Sequence, residues 1–188
     1  GCISATTPDA IITFCSELGT TYFDTRHGLS GKRILAIRQT GTGLYLADKN
    51  QLLRFVTPSA STSSRWDPCA EHHDKITALL PLGDAVLSAS PDALILSTGT
   101  ASIRLRTADI AALCSWSAVS SGIAWIEGSH FCRGSIVDNQ LRVDAPPLEI
   151  DATASSLVED DNGPPWIGTA SSGVIRVPPP DQIAHGQP

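Results

Sequence analysis

Short apolar runs, separated by polar turns that contain glycine, make up most of the chain. Four stretches can be superimposed on this pattern, at 34–55, 76–97, 110–132 and 154–177. In each stretch a short strand is followed by a turn, a second strand, another turn and a third strand. The stretches start about 40 residues apart, which is the spacing of repeats that each form one four-stranded propeller blade, ~40–50 residues.

The last stretch has the clearest hairpin. Asn162-Gly163 stands between its first two strands, and Asn-Gly supplies the positive backbone dihedral angles that a tight turn needs. Lys49-Asn50 holds the corresponding place between the second and third strands of the first stretch, where the last stretch has Ser172-Gly173. Each unit presents apolar faces on both sides of a small sheet, so it has to stack against neighbouring units. The pattern predicts an all-β chain built from stacked repeats.

The composition agrees with short strands and turns. Of 188 residues, 15 are Gly and 13 are Pro, and hydrophobic residues make up 41%, which is enough for a core. Met is absent, and because an open reading frame normally begins with Met, we expect an internal piece of a longer protein. The formal net charge is −6 and no basic run occurs, which disfavours a nucleic-acid surface or an anionic-membrane surface.

The cysteines suggest no metal site. Cys2, Cys15, Cys69, Cys114 and Cys132 form no C-x-x-C pair, so a zinc site lacks its usual ligand spacing. Buried free thiols in strands are favoured over a disulfide such as Cys114 to Cys132. An uncharged run at 110–126 is shorter than the ~20 residues of a membrane helix and contains several serines. Two strands joined by a turn explain that run better, and the first residues show no signal peptide.

The last repeat resembles a known signature. Its segments Asp160-Asp161-Asn162-Gly163, Trp166-Ile167-Gly168-Thr169 and Ser172-Gly173-Val174-Ile175-Arg176 resemble the pattern E-D-x-x-G-x-L-W-I-G-T-x-x-G-L-x-R of the two-component regulator propeller repeat. The segment from Phe23 to Ser30 resembles the connection that introduces a blade in the same family. The resemblance implies structural roles for Asp160, Gly163, Trp166, Ile167, Gly168, Thr169, Gly173 and Arg176.

The resemblance also implies a location and a role. It implies the periplasmic or extracytoplasmic part of a bacterial inner-membrane protein, usually a sensor or hybrid histidine kinase and less often a diguanylate cyclase. The full-length protein would be membrane-anchored and dimeric, with its catalytic domains outside this chain. Because the family's propellers commonly have seven blades, about four units would form only a partial β-propeller. The expected units are 22–56, 57–97, 98–143 and 144–178, and 179–188 would be a linker or the start of the next blade.

Candidate ligand contacts come from loops. Trp66 and Trp116 lie outside the repeated tryptophan position, and His72 and His73 belong to the densest group of potential ligands. These four residues are candidates for binding an extracellular small molecule or oligosaccharide. A solvated loop is favoured over a metal site at the two histidines, since adjacent side chains point in different directions. The chain has no phosphate-binding loop, so no cofactor is expected.

Three functions are open at this point. A ligand-sensing module leads, because loops from several blades converge on one concavity in ring architectures. A protein-interaction scaffold is the first alternative. A propeller-based carbohydrate-active enzyme is the second, but Asp92, Asp109, Glu127 and Asp138 are scattered singly, whereas catalysis needs convergent carboxylates. We therefore assign no catalytic residue.

Overall fold

The protein folds almost entirely into β-strands and turns. The computed structural model describes residues 2–6, 10–15, 19–29, 34–56, 63–72, 75–99, 101–115, 122–150, 153–159 and 165–177. Within these ranges the helical segment is a single 3-10 turn at Thr25–His27, which Asp24 caps at its N-terminal end. The chain is all-β, as the short apolar runs predict.

The described residues form five antiparallel sheets that follow one another along the chain. Sheet 1 contains β1 (Cys2–Thr6), β2 (Ile11–Cys15) and β3 (Gly19–Phe23). Sheet 2 contains β4 (Ile34–Thr40), β5 (Gly43–Asp48), β6 (Gln51–Val56) and β7 (Arg65–Glu71). Sheet 3 contains β8 (Ala78–Leu82), β9 (Ala85–Ala89), β10 (Leu94–Thr98) and β11 (Ala101–Arg106).

The last two sheets complete the series. Sheet 4 contains β12 (Ile110–Ser115), β13 (Gly122–Glu127), β14 (His130–Val137), β15 (Gln140–Val143) and the short β16 (Leu148–Glu149), which pairs with β14. Sheet 5 contains β17 (Ala154–Val158), β18 (Trp166–Thr169) and β19 (Val174–Arg176).

The sheets stack side by side through their first strands. β4 lies beside β8, β8 beside β12, and β12 beside β17. Within each of these sheets the following strands pair in sequence order, so they lie progressively farther from the first strand. The first strands of sheets 2 to 5 therefore share one side of the stack.

Apolar layers fill the space between neighbouring sheets, and β13 shows how the sequence supplies them. Ile123 and Trp125 pack with sheet 3, whereas the alternate residues Ala124 and Ile126 pack with sheet 5. Because successive side chains of a strand point to opposite faces, a strand buried on both faces is a continuous apolar run. The other layers contain Ile11, Phe23, Leu46 and Trp66 between sheets 1 and 2, and Tyr45, Leu52, Ile76 and Val86 between sheets 2 and 3.

Hydrogen bonds supplement these apolar layers. The Gly41 amide, in the β4–β5 turn, donates to the Gly83 carbonyl in the β8–β9 turn at 3.2 Å. The Thr77 hydroxyl donates to the Ile110 carbonyl at 2.8 Å, which ties the start of sheet 3 to sheet 4. Neighbouring sheets are thus joined by polar contacts as well as by apolar packing.

Sheet 1 lies before the four superimposed stretches and is a fifth sheet. Its sequence Ile3-Ser4-Ala5 followed by Pro8-Asp9-Ala10-Ile11-Ile12 resembles Leu87-Ser88-Ala89 followed by Pro91-Asp92-Ala93-Leu94-Ile95 of sheet 3. β1, β2 and β3 therefore correspond to the second, third and fourth strands of a complete sheet. The remaining sheets span 34–71, 78–106, 110–149 and 154–176.

Candidate functional site

A concavity lies where the first strands of sheets 2 to 5 come together. Its volume is about 370 Å³. It is lined by one residue of β4 and by three consecutive residues from, or directly after, each of β8, β12 and β17: Arg38, Leu79, Leu80, Pro81, Leu113, Cys114, Ser115, Leu157, Val158 and Glu159. We call this cavity the inner concavity.

The polar groups of the inner concavity come from three different sheets. Arg38 is exposed, and its guanidinium donates a hydrogen bond to the backbone carbonyl of Ile37 at 2.8 Å. The Ser115 hydroxyl donates to the Glu159 carboxylate at 3.1 Å. Pro81 and Val158 add exposed apolar surface, and Val158 is 60% exposed. The concavity thus offers a cation, a carboxylate with its hydroxyl partner, and apolar surface.

The thiol in the inner concavity is unsuited to nucleophilic chemistry. Burial raises the pKa of Cys114 to about 12, and the negative charge of Glu159 contributes to the same shift. The thiolate is the nucleophilic form of cysteine, so this side chain is inert near neutral pH.

His72, one of the loop candidates, is buried between two sheets. It directly follows β7 and has 0% exposure. Its Nδ1 lies 2.7 Å from the Ser90 hydroxyl oxygen, and its Nε2 lies 2.9 Å from that of Ser88. The His72 amide also donates to the Asn50 carbonyl at 2.7 Å. The expectation of a solvated loop at His72 is thus incorrect, because two serines of sheet 3 satisfy its ring nitrogens.

Trp66 is also enclosed. It lies in β7 opposite Phe55, is 2% exposed, and packs against the rings of Phe55 and Phe23 with centroids 5.3 and 6.1 Å away. A buried ring cannot serve as a stacking platform for a sugar on the surface. His73 and Trp116, the other two candidates, lie outside the described residues.

The signature residues of the last repeat form sheet 5. Ile167 is 1% exposed and packs against sheet 4, whereas Trp166 is half-buried with the Arg176 guanidinium 5.6 Å from its ring centroid. A Cβ at Gly168 would collide with the Ser156 hydroxyl. The Thr169 hydroxyl closes the following turn by donating to the Gly173 carbonyl at 2.9 Å, and Gly173 has φ +78°. Asp160 and Gly163 lie outside the described residues.

The described part of the chain contains neither a cluster of potential metal ligands nor a membrane-spanning helix. There, no three His, Cys, Asp or Glu side chains are grouped as a metal ion would require. The same residues include no helix with the length and apolarity to cross a membrane.

The residues of the inner concavity escaped the sequence analysis, although the repeats contain a signal for them. When the four stretches are superimposed, the fifth position of each holds Arg38, Leu80, Cys114 or Val158. The sixth position holds Gln39, Pro81, Ser115 or Glu159. All of these except Gln39 line the concavity. The candidates predicted from the sequence are loop residues instead.

Comparison with known proteins identifies the fold. No protein-family model and no curated protein sequence matches the chain. The extracellular domain of the hybrid two-component system BT4673 from B. thetaiotaomicron superimposes with a TM-score of 0.67, at 14% identity, over 92% of this chain. The N-terminal domain of Nup159 superimposes with a TM-score of 0.59, at 8% identity, over 87% of this chain and 48% of its own. The chain is a partial β-propeller.

This chain covers different shares of the known structures that it resembles. It covers 25% of the BT4673 domain. It covers 91% of the computationally designed Ika4 protein, with a TM-score of 0.54, at 16% identity over 77% of this chain. Identities this low show the fold alone. The five sheets thus make up about a quarter of the length of the extracellular domain that they resemble.

Proposed function

We propose that this propeller arc is an extracytoplasmic sensor segment of a bacterial two-component signalling protein, and that a small-molecule cue binds in its inner concavity. The cue would be an extracellular small molecule or an oligosaccharide. The similarity to the extracellular domain of BT4673 and the signature in sheet 5 support membership of the two-component regulator propeller family. The full-length protein would be membrane-anchored and dimeric, with its histidine kinase or other output domain outside this chain.

The observation that carries the proposal is the shared lining of the inner concavity. Four sheets each contribute first-strand residues to it, so a ligand there contacts several repeats at once. A ligand of this kind shifts the relative positions of the sheets only if it binds one arrangement better than another. Because each repeat adjoins its neighbours, the inner concavity is well placed to convert binding into a change of the arc.

The proposal is tested by filling the inner concavity. Thermal-shift screening with a library of monosaccharides, oligosaccharides and organic acids selects a ligand, and titration calorimetry measures its Kd. Val158→Trp places a large ring in the concavity and is expected to weaken binding at least tenfold. Val174→Trp is the matched control, because Val174 is likewise exposed in sheet 5, at 67%, but does not line the concavity. Equal affinity of the two variants would contradict the proposal.

The scaffold alternative has a structural observation of its own. Ile103 of β11 and Val143 of β15 are 44% and 46% exposed on the outermost strands of neighbouring sheets, which lie in contact. Ile103→Asp would abolish the binding of a protein partner to this outer surface, whereas it would leave the inner concavity unaltered. Titration of the selected ligand into the Val158→Trp and Ile103→Asp variants separates the two functions. A sensor is expected to lose affinity in Val158→Trp and to keep it in Ile103→Asp.

The enzyme alternative has less support. The Glu127 carboxylate accepts hydrogen bonds from Arg106 at 2.8 Å and from the Trp125 indole at 3.1 Å. Asp92 accepts from the Ser90 hydroxyl and lies 3.5 Å from Arg104. Glu127 and Asp92 thus each have a local structural partner, and a binding role accounts for these two acids better than catalysis does.

A further inference from the structure

The charged groups of the inner concavity lie at its two ends. The strands β4, β8, β12 and β17 follow one another across the lining, because each first strand contacts the next. Arg38 belongs to β4, and Glu159 directly follows β17, so β8 and β12 lie between the cation and the carboxylate. The concavity therefore has a positive end and a negative end.

The surface between the two ends is mainly apolar. It includes Leu80, Pro81, Leu113, Leu157 and Val158. Apolar walls with a few polar groups that fix the orientation of the ligand are typical of small-molecule pockets. None of the described residues that line the concavity is aromatic, so this lining offers a sugar no ring face on which to stack.

The positive end is suited to a carboxylate. Arg38 is exposed, and its guanidinium donates one hydrogen bond, to the Ile37 carbonyl at 2.8 Å. A guanidinium has five N–H donors in a planar fork. One bond to the backbone therefore leaves it able to hold a carboxylate through two parallel hydrogen bonds.

The negative end is suited to an ammonium group. The Ser115 hydroxyl donates to one carboxylate oxygen of Glu159 at 3.1 Å. A carboxylate has two oxygens and accepts several hydrogen bonds, so this bond orients the group and does not by itself occupy both oxygens. The Ser115 oxygen can also accept a hydrogen bond, and an ammonium group has three N–H donors. One ammonium group can therefore donate to both side chains.

The order of these groups selects among ligand classes. An anionic ligand would be attracted by Arg38 but repelled by Glu159, and a cationic ligand would meet the reverse pair of forces. A neutral sugar offers no opposite charge to either end. A free amino acid carries both charges at one carbon atom, whereas β8 and β12 separate the two ends of the concavity. A short apolar peptide has an ammonium group, a hydrocarbon body and a carboxylate in the required order.

We propose that the inner concavity binds a short apolar peptide, with its C-terminal carboxylate at Arg38 and its N-terminal ammonium group at Glu159 and Ser115. This ligand class rests on the proposed function, in which the cue binds in the same concavity. The volume of about 370 Å³ is near the lower end of the ~300–1,000 Å³ of ligand pockets. The peptide is therefore limited to a few residues.

Titration calorimetry of the whole chain with leucyl-leucine tests the ligand class. N-acetyl-leucyl-leucine lacks the ammonium group, leucyl-leucine amide lacks the carboxylate, and free leucine lacks the separation of charges. We expect leucyl-leucine to bind saturably and each analogue to bind roughly tenfold or more weakly, because hydrogen bonds between charged groups are the strong ones. Absence of saturable binding of leucyl-leucine at millimolar concentration, or equal affinity for the capped peptides, would overturn the proposal.

Substitutions at the two ends assign each terminus of the peptide. Arg38→Gln should remove the preference for leucyl-leucine over its amide and keep the preference over the N-acetyl form, and Glu159→Gln should do the reverse. Arg142→Gln and Glu149→Gln are the matched controls, because both residues are exposed in sheet 4 and neither lines the concavity. The controls should keep both preferences. If Arg38→Gln weakened the free and the amidated peptide equally, the assignment of the carboxylate would be wrong.

Two further ligands separate this proposal from the proposed function. If maltose or succinate bound, if Val158→Trp weakened that binding, and if leucyl-leucine did not bind, the inner concavity would remain the sensor site and the peptide would be the wrong ligand. If leucyl-leucine bound equally well to the Val158→Trp variant, the peptide would lie outside the concavity, and its assignment to this site would be overturned.

Discussion

The buried histidine between sheets 2 and 3 allows a quantitative prediction. His72→Ala removes a ring whose two nitrogens lie 2.7 and 2.9 Å from the hydroxyl oxygens of Ser90 and Ser88. The Ser90 hydroxyl donates to the Asp92 carboxylate, so its oxygen accepts from the His72 Nδ1–H. The Nε2 atom then accepts a hydrogen bond from the Ser88 hydroxyl.

The magnitude follows from what the alanine variant leaves behind. Each lost hydrogen bond contributes about 1 kcal/mol, and the vacated ring volume costs on the order of 1–2 kcal/mol more. The serines retain other partners, since Ser88 can donate to the Ile95 carbonyl at 3.3 Å and Ser90 keeps Asp92. Neither hydroxyl is therefore left without a partner, and we expect a loss of about 3 kcal/mol in the free energy of unfolding.

Urea unfolding followed by tryptophan fluorescence measures this loss. His130→Ala is the control, because His130 is exposed in β14, and such changes usually stay within about 0.5 kcal/mol. His72→Gln should be less destabilising than His72→Ala, since its amide can occupy part of the vacated volume and form a hydrogen bond. If His72→Ala unfolded at the same urea concentration as His130→Ala, the histidine would not hold the two sheets together.

Two further predictions concern single contacts. Burial alone would raise the pKa of Glu127, but hydrogen bonds from Arg106 and Trp125 outweigh it and hold that pKa below the ordinary 4.5. The ionised Glu127 therefore stabilises the folded state above about pH 4.5. This stabilisation is lost as the pH falls through the lower pKa of the folded state. Glu127→Gln should reduce the dependence of the urea midpoint on pH in that acidic range, and an unchanged slope would contradict the assignment. Gly28→Ala should destabilise by more than about 2 kcal/mol, because Gly28 has φ +90° and a Cβ there would collide with the Trp66 carbonyl oxygen. Gly128→Ala, with φ +58° and no atom within 4 Å of the added Cβ, should cost only about 1 kcal/mol, and equal losses in the two urea midpoints would show that the collision is unimportant.

The sequence predicts the strands well where one repeat contains all the information. The alternation of β13 and the turns of sheet 5 depend on local residue types, and the all-β class followed from such runs. Sheet 1 does not emerge from the repeat pattern, because the first strands of the units, at Ile34 and its equivalents, define that pattern. The described part of sheet 1 has no strand of that type, and its similarity to β9 and β10 emerges only when these second and third strands are compared.

The contacts between repeats were harder to predict. His72 follows a strand in a polar segment, which is typical of a loop. Its burial depends on Ser88 and Ser90, which belong to the next sheet. The inner concavity also depends on long-range placement, since Arg38, Ser115 and Glu159 lie far apart in sequence and meet only because first strands stack. Neither arrangement can be predicted from the residues of one repeat.

The interfaces between sheets also bear on how such a protein can diverge. The interface of sheets 2 and 3 includes a histidine between two serines, that of sheets 3 and 4 contains the ring of Trp125, and that of sheets 4 and 5 contains Ile167 in an apolar layer. Each interface needs complementarity only to its immediate neighbour, so mutations in one pair of repeats can be compensated within that pair. Duplicated repeats can therefore lose their common sequence, as the first three stretches have relative to the last, while the arc keeps its geometry.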